Sequence, residues 1–204
     1  MATPPYHHGN LAEHALKLAL ETLREQGDAA ISLRALARQI GVSGPALYRH
    51  FRDRDSLLAE LAVIGFNQLR DRMLADDHPQ SLPALQRIGQ AYIDFARAEP
   101  NLYRLMFGGC VLPRGEHPAL DQAGLEAFQV LEQTLARGQQ AGELIDAPLA
   151  QLTASAWSLV HGFALLSIDG HLPGPEQEPR LTNAVLEIFQ KGARTPSSIP
   201  KQES

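Results

Sequence analysis

Apolar positions recur at helical spacing along most of the chain, and short polar or glycine-bearing breaks cut them into segments. From Leu11 to about Gln26, Leu16, Leu20 and Leu23, flanked by Ala12, Ala15 and Ala19, predict an amphipathic helix with Asn10 as its N-cap and a stop at Gly27-Asp28. Residues 1–10, with Pro4 and Pro5 and no helical period, read as a flexible arm. Leu33, Leu36, Ala37 and Ile40 stand at i, i+3, i+4 and i+7 behind a capping Ser32, and Gly41 ends that helix in the position that favours a left-handed backbone. Ser43 then caps a third helix, Gly44 to His50. Two short amphipathic helices joined by a tight glycine turn predict a helix-turn-helix.

Asp53 caps a longer fourth helix carrying Leu57, Leu58, Leu61, Ala62, Gly65, Phe66 and Leu69 to about Ala75, a connector by its length. The polar stretch 76–81, with Pro79 ahead of a capping Ser81, is a boundary. Further helices are predicted from Leu82 to about Ala98, Pro100 to Phe107, Pro118 to about Ala141, Pro148 to about Ile168 and Pro179 to Lys191, four of them starting near a proline as first turns permit. Residues 108–116 and 169–178 read as loops, and no strand pattern or repeat competes. The expected architecture is all-α, with a three-helix head joined by the connector helix to a larger helical-bundle body. The expected domains are 1–55 and 56–194, followed by a disordered tail, 195–204.

Composition narrows the function classes. Hydrophobic residues make up 44% and charged residues 20%, no apolar run long enough to span a bilayer is evident, and no secretory pattern opens the chain. No membrane partner is therefore expected. The single cysteine, Cys110, has no intramolecular disulfide partner, which suits a reducing cytoplasm. Net charge is −5, so any nucleic-acid signal must be local. Such a signal exists between Ser32 and Arg54, where Arg34, Arg38, Arg49, Arg52 and Arg54 are opposed only by Asp53.

The stretch TLREQGDAAISLRALARQIGVSGPALYRHFRDRDSLLAEL closely resembles the DNA-binding head of the TetR family. It joins Gly27, Ser32-Leu33-Arg34, Ala37, Gly41-Val42-Ser43, Ala46, Tyr48, His50-Phe51, Arg54 and Leu57-Leu58 at that family's spacing. Physically, Val42, Leu47 and Phe51 can hold the third helix on the first two, leaving Ser43, Gly44, Pro45, Tyr48 and Arg49 available to a major groove. The resemblance assigns Tyr48, His50 and Arg54 mainly to phosphates, and Ser32 likewise at a helix N-terminus, with Arg34 beside it. Arg54 stands where the family usually has lysine, a charge-preserving change. Arg49 can read a guanine edge through its planar fork or contact phosphate alone.

In the body, Trp157, His161 and Gly162 resemble the Trp-His-Gly signature of one class of TetR C-terminal domains, and residues 95–109 and 6–11 fit the same class. The helix around them is apolar nearly all round and must be covered on several sides. TetR proteins pair their last two long helices as a four-helix bundle, which implies a twofold homodimer through Leu152, Leu159, Gly162, Phe163, Leu181, Val185, Ile188 and Phe189. Repression is the usual mode the resemblance implies, and two heads of a dimer suit a palindromic operator. Release by an apolar small molecule is expected on architectural grounds, because the helix from Arg54 begins at the DNA face and runs into the body. Tyr92, Phe95, Tyr103, Phe107 and Phe128, with Trp157 and His161, can line an effector pocket, and equally can be core.

Weaker signals carry less. A lone histidine on an apolar helix, such as His161, is more often hydrogen-bonded core than a ligand. His7 and His8 lack metal-binding partners, no zinc spacing appears, and no cofactor is expected. Cys110 has no neighbour that would activate a thiol. As an enzyme the chain would need a nucleophile elbow, phosphate loop or metal motif, and none is found, while the paired Asp76 and Asp77 lie in a linker. A helical protein-interaction module without DNA binding is the other alternative, and the presence of Tyr48, His50 and Arg54 counts against it.

Overall fold

The computed structural model describes residues 8–75, 78–108, 112, 115–173 and 178–195, with the backbone alone described at 8–10 and 178. The described elements are α1 (His8–Gln26), a 3-10 turn (Asp28–Ala30), α2 (Leu33–Ile40), α3 (Gly44–Tyr48), α4 (Arg54–Leu74), α5 (Ser81–Ala98), α6 (Pro100–Phe107), α7 (Pro118–Gln140), α8 (Leu149–Ile168) and α9 (Glu178–Ala193). The fold is all-α, and the described residues contain only one isolated antiparallel bridge, Leu144 with Arg194. Cys110, Asp76, Asp77, His7 and the tail beyond Thr195 lie outside the described residues, as does the side chain of His8.

The chain divides into two compact units, residues 1–68 with 99–125 and residues 69–98 with 126–204. The sequence placed its break after residue 55, with 56–194 as connector helix and body and 195–204 as a tail. By packing, α6 and the start of α7 fall in the same compact unit as the head. Arg24, near the end of α1, makes a bidentate pair with Glu99 through Nε and Nη2, both at 2.8 Å, and Asn101 Nδ2 donates to the Arg24 carbonyl at 3.1 Å. Phe107 meets Phe66 edge-on at 5.2 Å between ring centroids.

Within this first unit, α1 buries Leu11, Ala15, Ala19 and Leu23, while Leu16 and Leu20 are only half-buried. The expected leucine stripe is thus displaced onto the neighbouring small-residue stripe, which allows close helix approach. The helix also begins at His8, ahead of the expected Asn10 cap. Leu33, Leu36, Ala37, Leu47, Phe51, Leu57, Leu58 and Leu61 are also buried in its core. Asp53 caps α4 as its sequence position suggested, its Oδ1 accepting the Ser56 N–H at 2.8 Å and the Ser56 hydroxyl at 2.6 Å.

In the second unit α5 packs on α8 and α9, and Leu85, Leu135, Leu144, Leu152, Ala156 and Ala193 form a shared apolar cluster. The start of α5 is capped from a distance: Glu143 Oε2 accepts the N–H groups of Ser81 at 2.9 Å and Leu82 at 3.3 Å. A carboxylate there also opposes the positive end of the helix dipole. The Ile145 N–H donates to the Ala193 carbonyl at 2.9 Å and the Thr195 N–H to the Glu143 carbonyl at 3.1 Å, which clips the end of α9 to the α7–α8 loop.

One sequence reading is corrected here. By length and composition α8 is apolar enough to cross a bilayer. Its uncharged hydroxyls and amides, from Gln151, Thr153, Ser155 and Ser158, had broken the apolar run without adding charge. In the fold one side of α8 is buried on α5 and α9, and the opposite side is open.

Candidate nucleic-acid interface

α2 ends where Gly41 turns left-handed, with φ of 82° and ψ of 28°, a conformation a side chain would strain. The N–H groups of Gly41 and Val42 both reach the Ala37 carbonyl, at 3.0 and 2.9 Å, so the turn satisfies its own backbone. Pro45 pre-sets the first turn of α3. Beyond the end of α3, the N–H groups of His50 and Phe51 both donate to the Leu47 carbonyl at 2.9 Å. α3 is therefore two residues shorter in strict helical geometry than the sequence suggested, and residues 49–50 form its trailing turn.

Inside-outside placement follows from this geometry. Leu47 and Phe51 are buried at 0% and 1% exposure and fix α3 to the head. Ser43, Pro45, Tyr48, Arg49 and His50 all lie on the open side, Tyr48 with 47% of its surface exposed, and Gly44 is half-buried. On α2, Ser32, Arg34 and Arg38 are exposed. Ser32 and Ser43 occupy N-cap positions, yet neither hydroxyl makes a cap hydrogen bond.

The basic residues differ in their commitments. Arg52 is turned onto Asp53 at 2.8 Å, and the carboxyl of Asp53 is held well below the usual carboxylate range, first by the Ser56 hydroxyl and N–H and then by Arg52. Arg54 points back into the protein. Its Nε donates to the Ile31 carbonyl at 3.2 Å, and its Nη2 donates to the Asp28 carbonyl at 2.6 Å and to Asp28 Oδ2 at 3.2 Å. Sequence reasoning gave Arg54 a phosphate, and the pairing with Asp28, 26 positions away, has no local signal.

The aromatic candidates do not form one set. Tyr103 and Phe107 sit in the first unit, 4.8 Å apart between centroids, with Tyr103 fully buried. Tyr92, Phe95, Phe128, Trp157 and His161 belong to the second. There, the Tyr92 hydroxyl bonds His161 Nδ1 at 2.9 Å, Trp157 Nε1 donates to the same hydroxyl at 3.4 Å, and Phe128 meets Trp157 edge-on at 5.7 Å. Burial pushes the His161 imidazole below its ordinary pKa, which favours the neutral ring. Phe95 is fully buried, with the Arg72 guanidinium 5.2 Å from its ring centroid.

The residues expected between subunits also separate. Leu152 is buried in the protomer's own α5–α8–α9 cluster, Phe163 is buried with the Arg97 guanidinium 5.9 Å from its ring, and Phe189 packs against the same cluster as Leu152. Leu152 and Phe163 are thus buried within the protomer, where α5 packs on α8 and α9, and Phe189 is partly so. Leu159, Gly162, Leu181 and Val185 remain half-buried and Ile188 is 70% exposed, joined by an exposed Leu166 that the sequence reading passed over. A Cβ at Gly162 would meet nothing within 4 Å.

Fold and site together define a helix-turn-helix DNA-binding protein. Residues 15–61 match the model for bacterial regulatory proteins of the tetR family, and residues 85–189 match that for a tetracyclin repressor-like C-terminal domain. A solved structure of a protein with unknown function from Rhodococcus sp. RHA1 is similar over 95% of this chain and 100% of that one, at 30% identity and a TM-score of 0.85. The HTH-type transcriptional regulator YobS of Bacillus subtilis (strain 168) is 36% identical over 87 residues, 42% of this chain and 45% of its own. The tetracycline repressor protein class A from transposon 1721 of Escherichia coli is 40% identical over 68 residues, 33% of this chain and 28% of its own. The matched regions thus span less than half the length of these two curated relatives. The chain belongs to the TetR family of transcriptional regulators, which act by binding DNA and not by catalysis.

Proposed function

We propose that this regulator is a repressor that binds a palindromic operator as a homodimer and is released by a small molecule. The observation that carries the reading is the arrangement of α3 and its trailing turn: Tyr48, Arg49 and His50 are exposed together while Leu47 and Phe51 lock them from beneath. Tyr48, His50, Ser32 and Arg34 serve the phosphates, and Arg49, with Ser43, Gly44 and Pro45, meets base edges in the major groove. Two such heads related by a twofold axis call for two half-sites about one helical turn apart, ~34–36 Å.

Pairing uses the open side of α8 and α9, with Leu159, Gly162, Leu166, Leu181, Val185 and Ile188 presented to a second copy. The half-buried cluster of Phe128, Trp157 and His161 around the Tyr92 hydroxyl supports an effector site in the second unit: apolar faces supply affinity, and the Tyr92–His161 pair supplies one polar contact. A ligand that prefers the DNA-incompetent form by ~1–3 kcal/mol would lower operator affinity roughly 5- to 150-fold, and DNA would weaken the ligand equally.

A gel-shift with the DNA flanking the protein's own gene tests the reading. A retarded band competed by unlabelled flanking DNA and not by unrelated DNA is expected. Equal competition by both would remove sequence-specific regulation.

A further inference from the structure

We propose that Arg54 is a positioning residue, a clamp that sets the start of α2, and not one of the side chains that hold a phosphate. The inference rests on DNA binding by the head. Arg54 opens α4, but its guanidinium turns back on the 3-10 turn, holding the carbonyls of Ile31 and Asp28 and the Asp28 carboxylate. Ile31 immediately precedes Ser32, the N-cap of α2, and its own side chain is buried beneath at 2% exposure. The Asp28 carbonyl that Arg54 grips is the same one that accepts the Ile31 N–H at 3.0 Å. The turn is thus fixed by apolar packing on one side and by the guanidinium on the other, so Ser32 and Arg34 start from a fixed backbone.

The chemistry needs arginine. Two nitrogens of one planar fork reach two carbonyls and a carboxylate, whereas a lysine ammonium offers a single point charge on a flexible stem. The guanidinium also pairs with the Asp28 carboxylate at 3.2 Å, which orients it toward the 3-10 turn.

The two roles predict different behaviour in full-length Arg54→Lys, Arg54→Ala and Asp28→Ala variants, titrated with the flanking DNA over a range of salt. As a clamp, Arg54→Lys loses nearly as much affinity as Arg54→Ala, on the order of tenfold as for one charge-assisted hydrogen bond, although it keeps the charge. Both variants keep the wild-type dependence of log affinity on log salt, whereas loss of a phosphate contact lowers that slope by ~0.9. Asp28→Ala also weakens binding, despite removing a negative charge. Wild-type affinity in Arg54→Lys or Arg54→Ala, a lowered slope in Arg54→Ala, or tighter binding by Asp28→Ala overturns the proposal. Amide exchange at Ile31 without DNA separates this proposal from DNA binding itself: faster exchange is expected in both Arg54 variants, and wild-type protection in both overturns the clamp whatever the titrations show.

Discussion

Replacing Gly162 by leucine separates the stability of the protomer from that of the proposed dimer. Gly162 lies in the interior of α8, and a Cβ there meets no atom of its own chain within 4 Å. A glycine in a helix interior costs ~0.8–1 kcal/mol relative to alanine, and leucine is close to alanine, so the isolated protomer should gain up to about that amount. At a close twofold contact the added side chain overpacks, at ~1–3 kcal/mol per copy, or ~2–6 kcal/mol for the pair. That converts to a dimer dissociation constant raised by about 30-fold to about 10⁴-fold. Sedimentation over a concentration series reads the second effect, and thermal melts at concentrations where both proteins are monomeric read the first. A Gly162→Leu protein that melts no lower than wild type as a monomer yet dissociates readily is the expected result. Unchanged dissociation would refute pairing through this side of α8.

Other outcomes follow from the same geometry. Tyr48→Ala and Arg49→Ala should melt like wild type and lose operator binding, with Arg49→Ala costing ~1–3 kcal/mol of discrimination if its fork reads a guanine; wild-type retardation in a gel-shift would sink both roles. Asp53→Ala removes the α4 cap and should lower stability in urea by ~0.5–2 kcal/mol. The Asp53 pKa is lower folded than unfolded, so its stabilisation is present above the unfolded value and is lost as pH falls through the folded one. The wild-type advantage over Asp53→Ala should therefore shrink only in acid below ~4, the unfolded range. His161 also has a depressed folded pKa, but as a base it takes up its proton first in the unfolded chain. Wild type should consequently lose stability relative to His161→Gln as pH drops below ~6.5, and parallel curves from pH 8 to 5 would show that burial does not bias the ring.

The helices were legible because their apolar period is regular, and the helix-turn-helix because the capped helices and the Gly41 turn stand where the motif put them. Which stripe of a helix faces its own core was less legible. On α9 the sequence shows Leu181, Val185 and Ile188, but the protomer buries Thr182 and Leu186, one position on. Two adjacent stripes share one period, so periodicity cannot choose between them until α5 is placed. The same ambiguity moved the core of α1 to Leu11, Ala15, Ala19 and Leu23, and made Leu152 and Phe163 core where a subunit contact was expected. Contacts made by polar atoms across long separations were not legible at all. Glu143 capping α5 and Arg54 holding the Asp28 turn depend on segments far apart in sequence and brought together only by folding.

The clip between Glu143–Ile145 and Ala193–Thr195 makes the last two helices a closed ring, shut by the Ile145 and Thr195 amides and by the bridge of Leu144 to Arg194. The final turn of a helix ordinarily frays, because its last carbonyls lack intrahelical partners. Here the Ala193 carbonyl is held, and Ala193 is itself buried against Leu144. Unwinding α9 from its C-terminus therefore has to expose Leu144 and Phe189 in the same step. For protein engineering the permissible cut is sharply placed: a tag or fluorescent partner joined after Thr195 leaves the ring shut, whereas a truncation before Ala193 opens it and loosens the surface proposed to join two subunits.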